Sequence, residues 1–109
     1  MQLPNTDRAI IPAEKLRDYL LNAAHPWNNG KARLFAALGY FPENWEVLAS
    51  DFRAQHLSEE ATQSGISPEG VKYFIIAPLL GPIGRANIKS IWQIDFGAEV
   101  PRFISAYGS

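Results

Sequence analysis

The sequence predicts an α+β fold, with two or three N-terminal helices packed on one face of a C-terminal antiparallel sheet of three to four strands. Three observations predict it. In the first half, apolar residues recur at helical spacing, at Leu16, Tyr19 and Leu20 and again at Trp45, Leu48, Ala49 and Phe52. After residue 70 the pattern changes to runs rich in β-branched and aromatic residues, one of which alternates with period two. The turns between those runs are too short for a parallel crossover, which needs a dozen residues or more, so neighbouring strands run antiparallel. A sheet with one face covered by helices then gives a two-layer domain.

A chain of 109 residues fits one domain. Its organisation reads as a helical half over about residues 1–57, a linker over about 58–70 and a sheet half over about 71–109. Pro4 and Asn5 mark a turn in an extended lead-in. The first helix begins at Pro12, where a fixed φ and a missing N–H do no harm. It stops at Asn22 and His25-Pro26, because the residue before proline is driven out of the α region. A loop, His25-Pro26-Trp27-Asn28-Asn29-Gly30, leads into a second helix from Lys31 to Leu38 that Gly39 terminates. The third helix opens with Pro42 and Glu43, which suits the positive end of the helix dipole, and runs to Gln55 or His56. Residues 58–70, rich in Ser, Thr, Gly and Glu, read as connection. Val71–Ala77 is a strand, Gly81-Pro82-Ile83-Gly84 a turn, Arg85–Phe96 a long strand, and Arg102–Tyr107 the last.

Composition removes several function classes. There is no cysteine, so neither a disulfide framework nor a thiolate metal site is available. No apolar run approaches the length of a membrane span, and the first residues lack the basic and apolar stretches of a signal peptide. The expectation is a cytoplasmic protein without a membrane partner. Net charge is −1, unlike a protein that simply coats a polyanion. The charges are unevenly placed. Residues 41–70 hold six acids against Arg53 alone, and the remainder hold nine bases against five acids. That asymmetry fits either one acidic and one mildly basic side, or a solvated acidic helix face. Metal-ligand spacings, a phosphate loop and a dinucleotide fingerprint are all missing, so no metal and no cofactor are expected.

The candidate chemistry is sparse. His25 lies in a Pro- and Gly-containing loop, a common location for function, and imidazole is the side chain suited to proton transfer near neutral pH. The alternative for a lone loop histidine is plain surface. His56, at the end of an acidic helix, reads as a favourable charge on the helix C-terminus. Lys31 and Arg33 open the second helix, where cations oppose the dipole unless a phosphate is met there. Arg85 follows a tight turn and offers a planar fork for phosphate, or for an acid of the sheet. Ser105 and Tyr107 are two apart on the last strand and share a face, and Phe103 shares that face as well.

Several stretches taken together identify a resemblance. Leu3-Pro4-Asn5, Lys15–Leu21, His25-Pro26, Lys31-Ala32-Arg33 and Leu38-Gly39-Tyr40 resemble an uncharacterised bacterial domain family. So do Gly81-Pro82, Gly84-Arg85, Ile91-Trp92 and Val100-Pro101-Arg102 leading to Ser105-Ala106-Tyr107. Domains of that family occur alone or at the C-terminal end of larger phage and polymorphic-toxin proteins. The order of helices then sheet, closed by a Ser-Ala-Tyr strand, is similar to the barnase–EndoU–colicin–RelE superfamily of RNases. The resemblance implies a toxin-like, metal-independent RNase that cleaves RNA through a 2′,3′-cyclic phosphate and is held in check by a small cognate inhibitor protein. His25 would be the general acid or base, Lys31 and Arg85 would stabilise the phosphorane, and Ser105 and Tyr107 would orient the phosphate. This chain departs from the family pattern in its longer spacing from His-Pro to Gly30 and in ending Tyr107-Gly108-Ser109. No second histidine stands in a matched position, so any acid/base partner of His25 is another residue type. The rival expectation is a non-catalytic interaction module or inactive relative, one half of a two-gene pair.

Overall fold

The computed structural model describes residues 1–109. Three helices precede a four-stranded antiparallel sheet, as the pattern predicts. They are a π-helix, Glu14–Leu20, and two α-helices, α1 (Lys31–Ala37) and α2 (Trp45–Gln55). The strands are β1 (Thr62–Ile66), β2 (Gly70–Leu80), β3 (Arg85–Asp95) and β4 (Arg102–Gly108), paired in the order β1-β2-β3-β4. Short 3-10 turns at Thr6–Arg8 and Pro42–Asn44 lead into the π-helix segment and α2. No helix is long and apolar enough to cross a membrane.

The core lies between the helices and the inward face of the sheet. Ile75, Ala77 and Leu79 of β2, Ile88 and Trp92 of β3, and Phe103 and Ala106 of β4 are buried against Leu16, Leu20, Phe35, Leu48 and Phe52. At its centre the Trp92 ring meets Phe52 edge-on at 6.3 Å and Phe103 at 5.4 Å, the geometry that aromatic quadrupoles favour. The β2–β3 turn docks on the end of α1. Ile83 N–H donates to Leu38 O (3.1 Å), closing a free helix carbonyl. A Cβ on Gly81 would stand 2.2 Å from that same carbonyl, so only glycine fits there. The Tyr40 hydroxyl donates to Asp51 (2.6 Å) and lies 3.2 Å from Leu80 O, tying α2 to the end of β2.

Four expectations need correction. The first helix is wound with i→i+5 bonding and starts at Glu14, two residues after Pro12. An apolar repeat at Leu16 and Leu20 does not distinguish that winding from an α-helix. Within the expected linker, Thr62–Ile66 is an edge strand. Its polar residues carry no strand pattern, and it forms because β2 presents a free ladder; a register shift falls between Gln63 and Gly65. Phe103 and Ser105 do not share a face. Trp92 pairs with Phe103 but Ile91 pairs with Ser105, so one extra β4 residue at Ile104 reverses the alternation. His56 is not a surface charge at a helix end. It is fully buried beneath the sheet, with Nδ1 2.7 Å from Ser90 Oγ.

Candidate functional site

The π-helix, the loop after it and the edge strand β4 together enclose an open cavity of about 370 Å³. It is lined by Lys15, Tyr19, His25, Trp27, Ile104 and Ser105. Lys15 and Tyr19 are four apart on one helical face, which brings an ammonium and a phenol to the same wall. The loop is held by Asn28, which is buried although polar. Its Nδ2 donates to Tyr19 O (2.7 Å) and Leu20 O (3.0 Å), and its Oδ1 accepts from Ala32 N–H (2.7 Å). One side chain thereby ties the carbonyl end of the π-helix to the amide end of α1. Asn29 and Gly30 both adopt positive φ, 55° and 81°, and turn the chain sharply into α1.

His25 stands on this loop with its ring 5.0 Å from that of Tyr19, edge to face. Trp27 N–H donates to His25 Nδ1 (3.2 Å), which places the proton of the neutral ring on Nε2. Trp27 is 75% exposed and meets the His25 ring edge-on at 6.0 Å, an aromatic wall at the rim. Lys31, in the first turn of α1, has its Nζ 5.8 Å from the Tyr19 ring centroid. Burial alone would push the Tyr19 phenol up. The Ser105 hydroxyl and the Lys31 ammonium, followed by the charge of Lys15, outweigh it, and the phenol is held below the usual tyrosine range. Ser105 Oγ is buried in the cavity wall and makes no hydrogen bond of full geometry. No carboxylate lines the cavity.

Of the five residues singled out in the sequence, three are brought together here. His25 and Ser105 line the cavity, and Lys31 acts on it through Tyr19. Arg85 does not join them. It lines a separate shallow depression with Pro78, Ala86 and Asn87 at the far end of the hairpin. Tyr107 lies outside the cavity too, paired with Lys89 across β4 and β3. Sequence reasoning missed Lys15 and Tyr19. Tyr19 falls in the apolar stripe and reads as core, but its i−4 relation to a lysine next to the His25 loop was a usable signal. No group of three His, Asp or Glu side chains is placed to hold a metal ion.

Fold and cavity define a small α+β domain with a cationic, aromatic-walled cleft at the edge of a meander sheet. The chain belongs to the family described as "Domain of unknown function (DUF6883)", which matches residues 2–109. Compared with curated proteins and with solved structures, it finds no match.

Proposed function

We propose that this domain is a metal-independent endoribonuclease of toxin type that cleaves RNA through a 2′,3′-cyclic phosphate. The observation that carries the reading is the convergence of an imidazole, a phenol of lowered pKa and two ammonium groups on one open cavity. A phenol perturbed by burial and by specific partners in a cleft is a candidate reactive group. The order of helices then antiparallel sheet supports the expected resemblance to the barnase–EndoU–colicin–RelE superfamily.

In the proposed reaction the RNA 2′-oxygen forms a bond to the adjacent phosphorus while the bond from phosphorus to the 5′-oxygen breaks. The Tyr19 phenolate accepts the 2′-hydroxyl proton, and His25, charged as the imidazolium with Nδ1 released from Trp27 N–H, donates its Nε2 proton to the departing 5′-oxygen and is left neutral. Tyr19 thus takes the place of the missing second histidine. Lys15 and Lys31 offset the charge gathering on the phosphorane, while the Ser105 hydroxyl directs its proton at the Tyr19 oxygen and holds the phenolate. The Trp27 ring offers a face for the flanking base. On this reading the protein acts in the cytoplasm, where such a substrate is met, and an acidic inhibitor protein would neutralise the lysine-bearing cleft.

Total cellular RNA incubated with the purified protein in excess chelator tests this. The wild type is expected to yield discrete fragments ending in 2′,3′-cyclic phosphate, and His25→Ala to lose at least about 100-fold in rate. A folded, partner-free protein that leaves the RNA intact sinks the reading. The rival, a non-catalytic interaction module, would then stand on the placement of Arg85 and Tyr107 outside the cavity and on exposed Ile66, Ile76 and Leu80.

A further inference from the structure

We propose that the open face of the sheet is a binding platform for single-stranded RNA that continues from the cavity, an inference resting on the RNA reading of that cavity. The helices cover one sheet face. The other presents two adjacent cross-strand rows, Ile76–Lys89–Tyr107 and Phe74–Ile91–Ser105. Ser105 belongs both to the second row and to the cavity wall. Tyr107 lies two residues further along β4, about 7 Å away and on the same side.

Charge selects the partner. The four strands carry Lys72, Arg85, Lys89 and Arg102 against a single acid, Asp95. That acid is already bridged by Arg102 at 2.9 Å, and the other three cations form no salt bridge. Of the six acids of residues 41–70, five belong to α2 and the segments flanking it, and Glu69 lies in the β1–β2 turn, off the strands. Lys89 Nζ stands 4.3 Å from the Phe74 ring centroid and 5.7 Å from that of Tyr107, a cation set between two aromatic rings. Rings interleaved with unpaired cations on a flat surface match a strand whose bases are free to stack and whose phosphates need neutralising. The same arrangement gives Tyr107, which lies outside the cavity, a contact with the substrate.

The test is fluorescence anisotropy with a labelled single-stranded RNA of about a dozen nucleotides, 2′-O-methylated so that it binds without being cleaved. Tyr107→Ala is expected to weaken binding about tenfold. Lys89→Gln should lower the slope of log affinity against log salt by about 0.7. Phe74→Leu keeps the apolar volume without the ring, so a loss of affinity there is not a loss of fold. A duplex of the same sequence should bind more weakly. Wild-type affinity in all three folded variants overturns the platform. So does equal binding of the duplex, or sedimentation showing that a second copy covers this face and leaves with Lys89→Glu. Cleavage is scored separately on natural RNA. If His25→Ala abolishes cleavage while the face variants bind normally, the cavity reading survives and the platform does not. The reverse pattern removes catalysis and keeps the platform.

Discussion

Tyr19 is the residue on which the proposed chemistry turns, because its environment acts against its burial. An apolar site disfavours a phenolate, yet Ser105, Lys31 and Lys15 together reverse that preference. As the proposed pair, Tyr19 and His25 must hold one proton between them to react. Activity should therefore fall as pH rises through the Tyr19 pKa, and this limb should lie below the ordinary tyrosine range. Removing the Lys31 charge takes away part of what lowers the phenol, so Lys31→Gln should move the limb to higher pH. Tyr19→Phe should cost about 100- to 10,000-fold in rate and abolish the limb altogether. Initial rates against pH for the three proteins check this, and a limb that ignores both substitutions would remove Tyr19 from the reaction. The residue was hidden in the sequence because a tyrosine at helical spacing from two leucines has the pattern of core. What separates it from core is the pair of lysines beside it, and only the fold brings both to its ring.

Between elements, the site depends on the junction that Asn28 makes. The π-helix ends with unpaired carbonyls and α1 begins with unpaired amides, and one buried amide side chain meets both. Asn28→Ala should destabilise the domain by about 1–3 kcal/mol, since it leaves Leu20 O and Ala32 N–H without partners. It should also release the loop carrying His25 and Trp27, so that cleavage falls more than the loss of folded protein explains. Urea midpoints and rates measured on the same samples separate the two effects, and a rate loss that tracks folded fraction alone would make Asn28 purely structural. The elements themselves were legible where local and long-range preferences agree. α2 has a proline and an acid at its start and Trp45, Leu48, Ala49 and Phe52 on one face. The β2–β3 hairpin has its turn written as Gly81-Pro82-Ile83-Gly84. β1 was not legible, because Thr-Gln-Ser-Gly-Ile becomes a strand through its partner and not through its own propensity. The bulge at Ile104 was equally silent, and it decides that Ser105 belongs with the cavity while Phe103 belongs with the core.

Across the whole molecule, the strands carry four cations against Asp95 alone, whereas the three helices carry acids and bases alike. Beneath the sheet lies a titratable group that nothing in the proposed reaction uses. His56 is fully buried, where a helix-end position in the sequence suggested a solvent-facing charge. Trp92 Nε1–H donates to Ser90 Oγ (2.9 Å), which in turn lies 2.7 Å from His56 Nδ1. Burial pushes the imidazole down to about 4, only partly opposed by the Ala77 carbonyl. The sign of the linkage follows. With a folded pKa below the unfolded value near 6.5, the unfolded chain takes up the proton first, so stability is full above that value and declines as pH falls toward 4. The loss across that window should approach about 3 kcal/mol, a large share of the stability of a domain this size. Asp95, held below the ordinary carboxylate range by Arg102 and then Gln93, adds its own loss only at the acid end of the window and below. Urea unfolding at pH 7, 6, 5 and 4.5 should show the midpoint falling from pH 6 downward. His56→Gln should be less stable at pH 7, because it disturbs a packed polar cluster, yet lose less on acidification than the wild type. A wild-type midpoint that stays level from pH 7 to 5 would mean the ring gains water or a charge partner in solution, and the core around Trp92 and Ser90 would then be looser than its packing indicates.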